Sequence, residues 1–220
     1  LHLLSRRQRQ MCIRDRFISA NYDEVILGGS GLLQGVPCDN DEESSVPFFE
    51  KRGYSADFIS VNMGLELNDK AVEKLKEIPR PNGVTYRFAD DNDREKLLAA
   101  VKDAQAEWLP VFEENSDAPV LLAVCGDEIA GFEMVEEYGG MFFSDNEKHS
   151  MIGCVGVTHK YRRRGIGLAM TAEGSLSLYE KNCKDIQLLY VERVAWYNKL
   201  GYEVTSRQWM GRKKIQDIMF

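Results

Sequence analysis

The residues best suited to chemistry lie in one continuous stretch, residues 153–167. Residues 152–157 are apolar and rich in β-branched side chains, which predicts a buried strand. A polar and basic turn follows, and a helix is predicted to begin at Gly165-Ile166-Gly167. The first N–H groups of a helix have no partner within it, and the helix dipole favours negative charge there. A strand, a basic glycine turn and a helix in this order can therefore hold a phosphate.

The side chains of the turn support the same chemistry. Glycine lets a pyrophosphate approach the backbone closely, and Arg162, Arg163 and Arg164 add positive charge beside it. The alternative interpretation is architectural: a tight strand-to-helix turn that carries a solvated run of arginines. A nucleotide-binding P-loop is not predicted, because no Gly-Lys-Ser/Thr ends the turn.

The spacing Arg162-x-x-Gly165-x-Gly167 resembles the Arg/Gln-x-x-Gly-x-Gly/Ala signature of the GCN5-related N-acetyltransferases. The preceding strand at 153–157 and the helix that follows the signature strengthen this resemblance. The resemblance implies that acetyl-CoA is the cosubstrate: the signature would bind the pyrophosphate, and the strand backbone would hydrogen-bond the pantetheine arm. The cofactor-binding residues implied in this way are Val155, Gly156, Val157, Arg162, Arg163, Arg164, Gly165, Ile166 and Gly167.

The composition argues against several other classes of protein. The chain has 220 residues and a formal net charge of −7, which disfavours a nucleic-acid partner. No apolar run approaches the ~20 residues that cross a membrane. The 5 cysteines include no Cys-x-x-Cys pair and the 3 histidines are far apart, so neither a disulfide framework nor a metal site is predicted. Free thiols in a reducing cytoplasm are expected.

The N-terminal segment differs in character from the rest of the chain. Residues 6–16 are rich in arginine and resemble the translation of a sequencing adapter, so residues 1–16 are interpreted as a non-native artefact. A basic tail and a transit peptide are the alternatives. If the segment is an artefact, the natural N-terminus is missing, and the native sequence begins near residue 17, in the middle of a domain.

An internal repeat indicates a tandem organisation. Phe49-Glu50-Lys51-Arg52-Gly53-Tyr54 parallels Tyr197-Asn198-Lys199-Leu200-Gly201-Tyr202, and both resemble a Tyr-x-Lys-Leu-Gly-Phe/Tyr segment of the acetyltransferase family. Residues 17–67 are therefore expected to be the C-terminal half of a first acetyltransferase-like domain. Residues 68–82 would be a linker, and residues 83–220 a complete second domain. Apolar residues of the half-domain are expected to pack on the second copy or on another chain, so a homo-oligomer is an open expectation.

The second copy contains predicted elements in the order β-α-β-β-β-α-β-α-β. A helix is predicted over residues 93–108 from its apolar spacing, a loop over 110–117, and a hairpin turn at Gly126-Asp127. The resemblance implies an α/β fold with a mixed, twisted β-sheet flanked by helices on both faces. The cofactor would lie where the central strand separates from its neighbour.

Two side chains are candidates for the proton transfers of acetyl transfer. Tyr197 lies where the family has a tyrosine that protonates the leaving thiolate, although a core aromatic beside Trp196 is the alternative. Glu133 alternates with the apolar residues of its strand and is the candidate general base, with a solvated strand face as the alternative. Glu136, Glu137 and a water chain are further candidates for the base.

These residues predict transfer of an acetyl group from acetyl-CoA to the primary amine of a small molecule or peptide, by direct attack on the thioester. A non-catalytic acyl-CoA-binding module is the alternative. One departure weakens a strict transfer of family contacts: many members have asparagine and alanine where this chain has Tyr190 and Arg193. A nucleic-acid-binding domain built on the arginine run is a third interpretation, against which the acidic balance argues.

Overall fold

The structure is a computed structural model that describes residues 24–27, 35–39, 45–138 and 149–214. The predicted adapter-derived segment at 6–16 lies outside these residues. Within them the chain forms one sheet of nine strands. The strands are β1 (Glu24–Leu27), β2 (Val36–Pro37), β3 (Ser55–Glu66), β4 (Thr85–Phe88), β5 (Val120–Cys125), β6 (Glu128–Glu136), β7 (Ser150–Val157), β8 (Asp185–Leu188) and β9 (Glu203–Lys214).

Six α-helices are formed by the described residues. They are α1 (Val46–Glu50), α2 (Asp69–Glu77), α3 (Arg94–Gln105), α4 (Leu109–Glu114), α5 (Ile166–Glu180) and α6 (Val194–Tyr197). No helix of this described part is long and apolar enough to span a bilayer.

The sheet has the order β1-β9-β3-β8-β7-β6-β5-β4, and β2 also pairs with β9. Its pairs are antiparallel except for β7 and β8, which are parallel. Helices α2 and α5 pack on one face, which we name the α5 face. Helices α3 and α4 pack on the other, which we name the α3 face. The α/β fold with a mixed sheet between helices, as predicted from the sequence, is therefore confirmed.

Each face of the sheet buries its own apolar core. The α5 face encloses Val135, Ile152 and Met170, among others. Phe112 and Phe132 meet edge to face in the core of the α3 face, with ring centroids 5.3 Å apart. Alternate residues of each strand point into the two cores, because successive side chains of a β-strand lie on opposite faces of the sheet.

Local signals set most helix boundaries. The side chain of Asn68 caps α2 by accepting from the N–H of Ala71 at 3.0 Å. A 3₁₀ turn with a capping box between Asp90 and Asp93 leads into α3. The predicted loop at 110–117 is wrong in its first part, because α4 begins at Leu109 and Pro110 fits the first turn of a helix.

The position of β3 bears on the predicted domain boundaries. This strand belongs to the half-domain expected at 17–67, yet it lies between β8 and β9: Met63 pairs with Leu188 on one side and with Val204 on the other. Within the expected linker, α2 packs on α5. One continuous sheet thus joins residues on both sides of 68–82. The division into 17–67, 68–82 and 83–220 stays a prediction.

Candidate functional site

Strands β7 and β8 separate soon after they begin. They pair only at Ser150 and Met151, whereas β7 continues along β6 as far as Val157. Cys154 has a φ of 50° and lies at an irregularity in the pairing of β7 with β6, as in a β-bulge. The diverging part of the strand holds three of the predicted cofactor-binding residues, namely Val155, Gly156 and Val157.

The turn after β7 leads to an open helix N-terminus. Gly165 precedes α5 with a φ of 79°, a left-handed conformation that suits glycine, and no side chain caps the helix there. The N–H of Ala169 is the first to bond back to the Gly165 carbonyl, at 3.1 Å. The N–H groups of the preceding turn, including those of Ile166 and Gly167, have no helical partner and can bind an anion.

The surroundings of Gly165 and Gly167 explain why each position is a glycine. A Cβ on Gly165 would have Pro81 as its nearest neighbour at 3.8 Å, so the backbone here is openly accessible. A Cβ on Gly167 would come within 3.2 Å of Val157 and 3.4 Å of the Trp196 ring. Gly167 therefore lets α5 approach both β7 and α6, which places Tyr197 near the same turn.

The three arginines of the turn have different surroundings. Arg162 donates from Nε to the Val157 carbonyl at 3.0 Å and from Nη2 to the Ala104 carbonyl at 2.8 Å. It therefore fastens the turn to β7 and to the end of α3. Arg163 and Arg164 are exposed, and the Arg164 guanidinium lies 5.2 Å from the Tyr161 ring centroid. Both charged side chains therefore face solvent, one and two residues before Gly165.

Tyr197 ends α6 and is enclosed by aromatic rings. Its ring meets Trp196 at 4.6 Å and Tyr202 at 5.9 Å between centroids, both edge to face. Burial raises the pKa of the Tyr197 phenol above its ordinary value, the charge of Glu133 adds to the rise, and Arg193 partly offsets it. The phenol therefore keeps its proton at neutral pH and can serve as a donor.

The structure places Glu133 in the interior beneath α5. The side chain is 0% exposed, and one carboxyl oxygen accepts from the Thr171 hydroxyl at 2.8 Å. The other oxygen has no hydrogen-bond partner among the described residues. Burial raises the pKa of Glu133 to about 8, and the bond from Thr171 only partly opposes this. Glu133 and Tyr197 are thus brought onto the same face of the sheet, but Glu133 is sealed from solvent.

The alternative carboxylates lie elsewhere. Glu137 forms an ion pair with Lys181 at 2.7 Å near the end of α5. Glu136 is half-buried and shares the α3 face with Cys154, because it alternates with Phe132 and Met134 of that core. Burial, and secondarily the charge of Glu136, raise the pKa of the Cys154 thiol to about 11. Of the carboxylates predicted as bases, Glu136 is the one close to the point where β7 diverges on the α3 face.

A buried polar chain under α5 was not foreseen from the sequence. The Ser175 hydroxyl donates to the Thr171 carbonyl at 2.7 Å and lies 2.9 Å from the Tyr202 hydroxyl. Thr171 in turn donates to Glu133. The available signal was the four-residue spacing of Thr171 and Ser175, which puts both hydroxyl groups on one face of α5.

No family model matches the chain, and no curated protein matches its sequence. Solved structures do resemble it. The glucosamine N-acetyltransferase region of a fungal multi-domain GH3 β-N-acetylglucosaminidase has a TM-score of 0.71 and 17% identity, over 87% of this chain and 26% of that one. The GCN5-related N-acetyltransferase of Sphaerobacter thermophilus has a TM-score of 0.65 and 23% identity, over 94% and 65%.

A tandem GNAT protein from the clavulanic acid biosynthesis pathway is also similar, with a TM-score of 0.59 and 14% identity over 94% of this chain and 67% of that one. The chain therefore spans about a quarter of the fungal protein and about two thirds of the other two. These likenesses show that the chain has the fold of the GCN5-related N-acetyltransferases, as the sequence predicted.

Proposed function

We propose that the chain is an acetyl-CoA-dependent N-acetyltransferase that acts on a primary amine by direct attack on the thioester. The observation that carries the proposal is one juxtaposition. The uncapped N-terminus of α5 at Gly165 follows the far end of β7, the strand that diverges from β8 after Met151. Trp196, whose ring lies 3.4 Å from a Cβ built on Gly167, stacks edge to face on Tyr197 in the same short helix.

The residues around the turn fit the cosubstrate. In this proposal the N–H groups of Ile166 and Gly167 bind the pyrophosphate, and Arg163 and Arg164 neutralise its charge. Arg162 positions the turn through its two carbonyl contacts. The backbone of residues 155–157 holds the pantetheine arm in the gap beside β7. When bound, acetyl-CoA supplies an already activated acyl group.

The chain's own side chains then move two protons. The amine nitrogen bonds to the thioester carbon, the carbon–sulfur bond breaks, and sulfur leaves with the electron pair. We assign the phenol of Tyr197 as the acid that protonates the departing thiolate, since burial keeps it protonated. We assign Glu136 as the group that accepts the proton lost by the amine. Glu133, the base expected from the sequence, is enclosed beneath α5 and in this proposal holds that helix.

The competing function is an acyl-CoA-binding module without turnover. The departures at Tyr190 and Arg193 favour it, because they alter the segment before α6 and Tyr190 adopts a φ of 56°. Both functions need the same phosphate turn and differ only in whether acetyl groups are transferred. We place the protein in the cytoplasm in either case, consistent with four free cysteines among the described residues.

Thiol release from acetyl-CoA, followed with a thiol reagent against a set of primary amines, tests the proposal. We expect turnover with at least one amine, and Tyr197→Phe should lower kcat by about 100-fold with the KM for acetyl-CoA little changed. Tyr179→Phe is the matched control, because Tyr179 is on α5 and its hydroxyl meets only Asp69, at 3.2 Å, among the described residues. Binding of acetyl-CoA without thiol release from any amine would favour the binding module instead.

A further inference from the structure

The α3 face of the sheet changes character from one side to the other. Over β6 and β7 it is apolar and covered by α3. Over β8, β3 and β9 this face carries a group of neutral, polar side chains beside charged and apolar ones. We name these residues the polar strip: Ser60, Asn62, Gln187, Ser206 and Gln208.

Strand alternation puts the polar strip on the face opposite α5. Val61 and Met63 belong to the core of the α5 face, so Ser60 and Asn62 between and beside them point the other way. Ile186 and Leu188 likewise belong to the α5 face, which turns Gln187 to the α3 face. On β9, Ser206 pairs with Asn62 and Gln208 with Ser60.

Hydrogen bonds join three residues of the polar strip, and the hydroxyl of a fourth makes none among the described residues. Asn62 Nδ2 donates to Ser206 Oγ at 3.1 Å, and Gln208 Nε2 donates to the same oxygen at 3.3 Å. Ser60 is only 2% exposed, and its hydroxyl has no hydrogen-bond partner in the described part of the chain. Because an unsatisfied buried hydroxyl costs free energy, a ligand that hydrogen-bonds Ser60 would recover that cost.

The strip begins where the gap between β7 and β8 opens. Met151 is the last residue of β7 that pairs with β8, and its partner Gln187 pairs in turn with Gly64 of β3. Asn62 and Ser60 follow along β3 in the direction in which β7 diverges. The N–H of Val191 donates to the Val61 carbonyl at 2.7 Å, so the chain after β8 stays with β3 while β7 moves away.

In this arrangement the residues assigned to the cosubstrate and the polar strip lie on opposite faces of the sheet, on either side of the gap between β7 and β8. The phosphate turn belongs to α5, whereas the polar strip lies on the α3 face, and the gap beside β7 connects the faces. Two carboxylates, Glu136 and Asp185, share the α3 face with the strip. Asp185 contacts His149 and accepts from Gln187 Nε2 at 3.2 Å. Neutral hydrogen-bonding groups flanked by carboxylates suit a cationic amine that also carries hydroxyl groups.

We propose that the polar strip is the acceptor site and that the acceptor is a small primary amine bearing several hydroxyl groups. This inference rests on the proposed function and specifies its substrate class. Hydroxyl groups both donate and accept, as do the Ser60 hydroxyl and the amides of Asn62 and Gln208. An alkylamine of the same length would leave the buried Ser60 hydroxyl without a hydrogen bond among the described residues and is rejected for that reason.

The test compares glucamine with hexylamine, two primary amines on the same six-carbon chain, of which only glucamine has hydroxyl groups. Calorimetry on the full chain saturated with CoA measures both, and a separate titration measures acetyl-CoA alone. We expect glucamine to bind at least about tenfold more tightly than hexylamine. Ser60→Ala should weaken glucamine binding by about five- to twentyfold and change acetyl-CoA binding by less than twofold.

Two further variants keep the test decisive. Gln208→Ala replaces a half-buried strip residue and should weaken glucamine binding in the same way if Ser60→Ala does not fold. Ser55→Ala removes an exposed hydroxyl at the other end of β3 and should change nothing. Equal or tighter binding of hexylamine, or unchanged glucamine binding in a folded strip variant, overturns the inference. Acetyl-CoA binding without glucamine binding overturns this inference alone, and failure of acetyl-CoA to bind overturns the proposed function with it.

Discussion

The substitution Glu133→Gln distinguishes two roles for this residue, a buried structural carboxyl and a catalytic base. The wild-type side chain is fully buried, accepts one hydrogen bond from Thr171 and has an ordinary pKa of 4.5 raised to about 8. Between these two values the unfolded chain ionises Glu133 while the folded chain keeps its proton. The folded state then binds more protons, so the free energy of unfolding decreases as pH rises through this window.

The size of the effect follows from the raised pKa. Each pH unit in the window costs about 1.4 kcal/mol, so burial of Glu133 lowers the stability by at most about 5 kcal/mol at the upper end. Glutamine has nearly the same shape, keeps an oxygen for Thr171 and does not ionise. We therefore expect Glu133→Gln to match the wild type near pH 4.5 and to exceed its stability progressively towards pH 8.

Urea unfolding at about pH 5, 6.5 and 8 measures this difference directly. Glu137→Gln is the control, because it makes the same replacement at a partly exposed carboxylate beside Lys181. We expect kcat of Glu133→Gln to stay within a few-fold of the wild type. Parallel pH profiles for wild type and Glu133→Gln would refute the reasoning from burial, and a loss of about 100-fold in kcat would restore Glu133 as the base.

Three further predictions follow from the packing. Gly156→Ala should destabilise the fold by about 1–3 kcal/mol in urea unfolding, because its Cβ would lie 2.3 Å from the Phe132 ring; Gly153→Ala, whose Cβ would meet only Met151 at 3.5 Å, should cost clearly less. Arg164→Ala should raise the Kd for acetyl-CoA about three- to tenfold in calorimetry, whereas Lys102→Ala on α3 should not change it. A chain without residues 1–67 lacks β3 and should melt at a lower temperature or fail to fold, and an unchanged melting temperature would show that β9 does not need this strand.

The local structure of residues 153–167 was predictable because its signals are local. Gly165 and Gly167 fix a strand-to-helix turn within a few residues, and the structure has β7, the turn and α5 where the sequence predicts them. The resemblance of this stretch to the acetyltransferase family implied the fold class, which the structure confirms. The loop predicted at 110–117 is wrong over residues 110–114, where Pro110 lies in the first turn of α4, a position that proline suits.

The pairing of strands that are far apart in the chain could not be predicted from local sequence signals. The insertion of β3 between β8 and β9 joins residues more than a hundred positions apart, and alternation in each strand is compatible with several partners. Alternation did predict that Glu133 points away from Phe132. It could not show that α5 covers that face, so the carboxylate was expected beside the acceptor rather than in the core.

Calorimetric titration of acetyl-CoA into the full chain and into Gly165→Glu tests the central claim most directly. The control is Gly126→Glu, which adds the same charge to another glycine with positive φ, in the hairpin turn between β5 and β6. We expect saturable binding to the wild type and to Gly126→Glu, and a loss of at least about 100-fold in Gly165→Glu, because a side chain and a negative charge would block the anion site at the start of α5. Equal binding by Gly165→Glu, or no binding by a folded wild type, would contradict the assignment of the turn as the cofactor site.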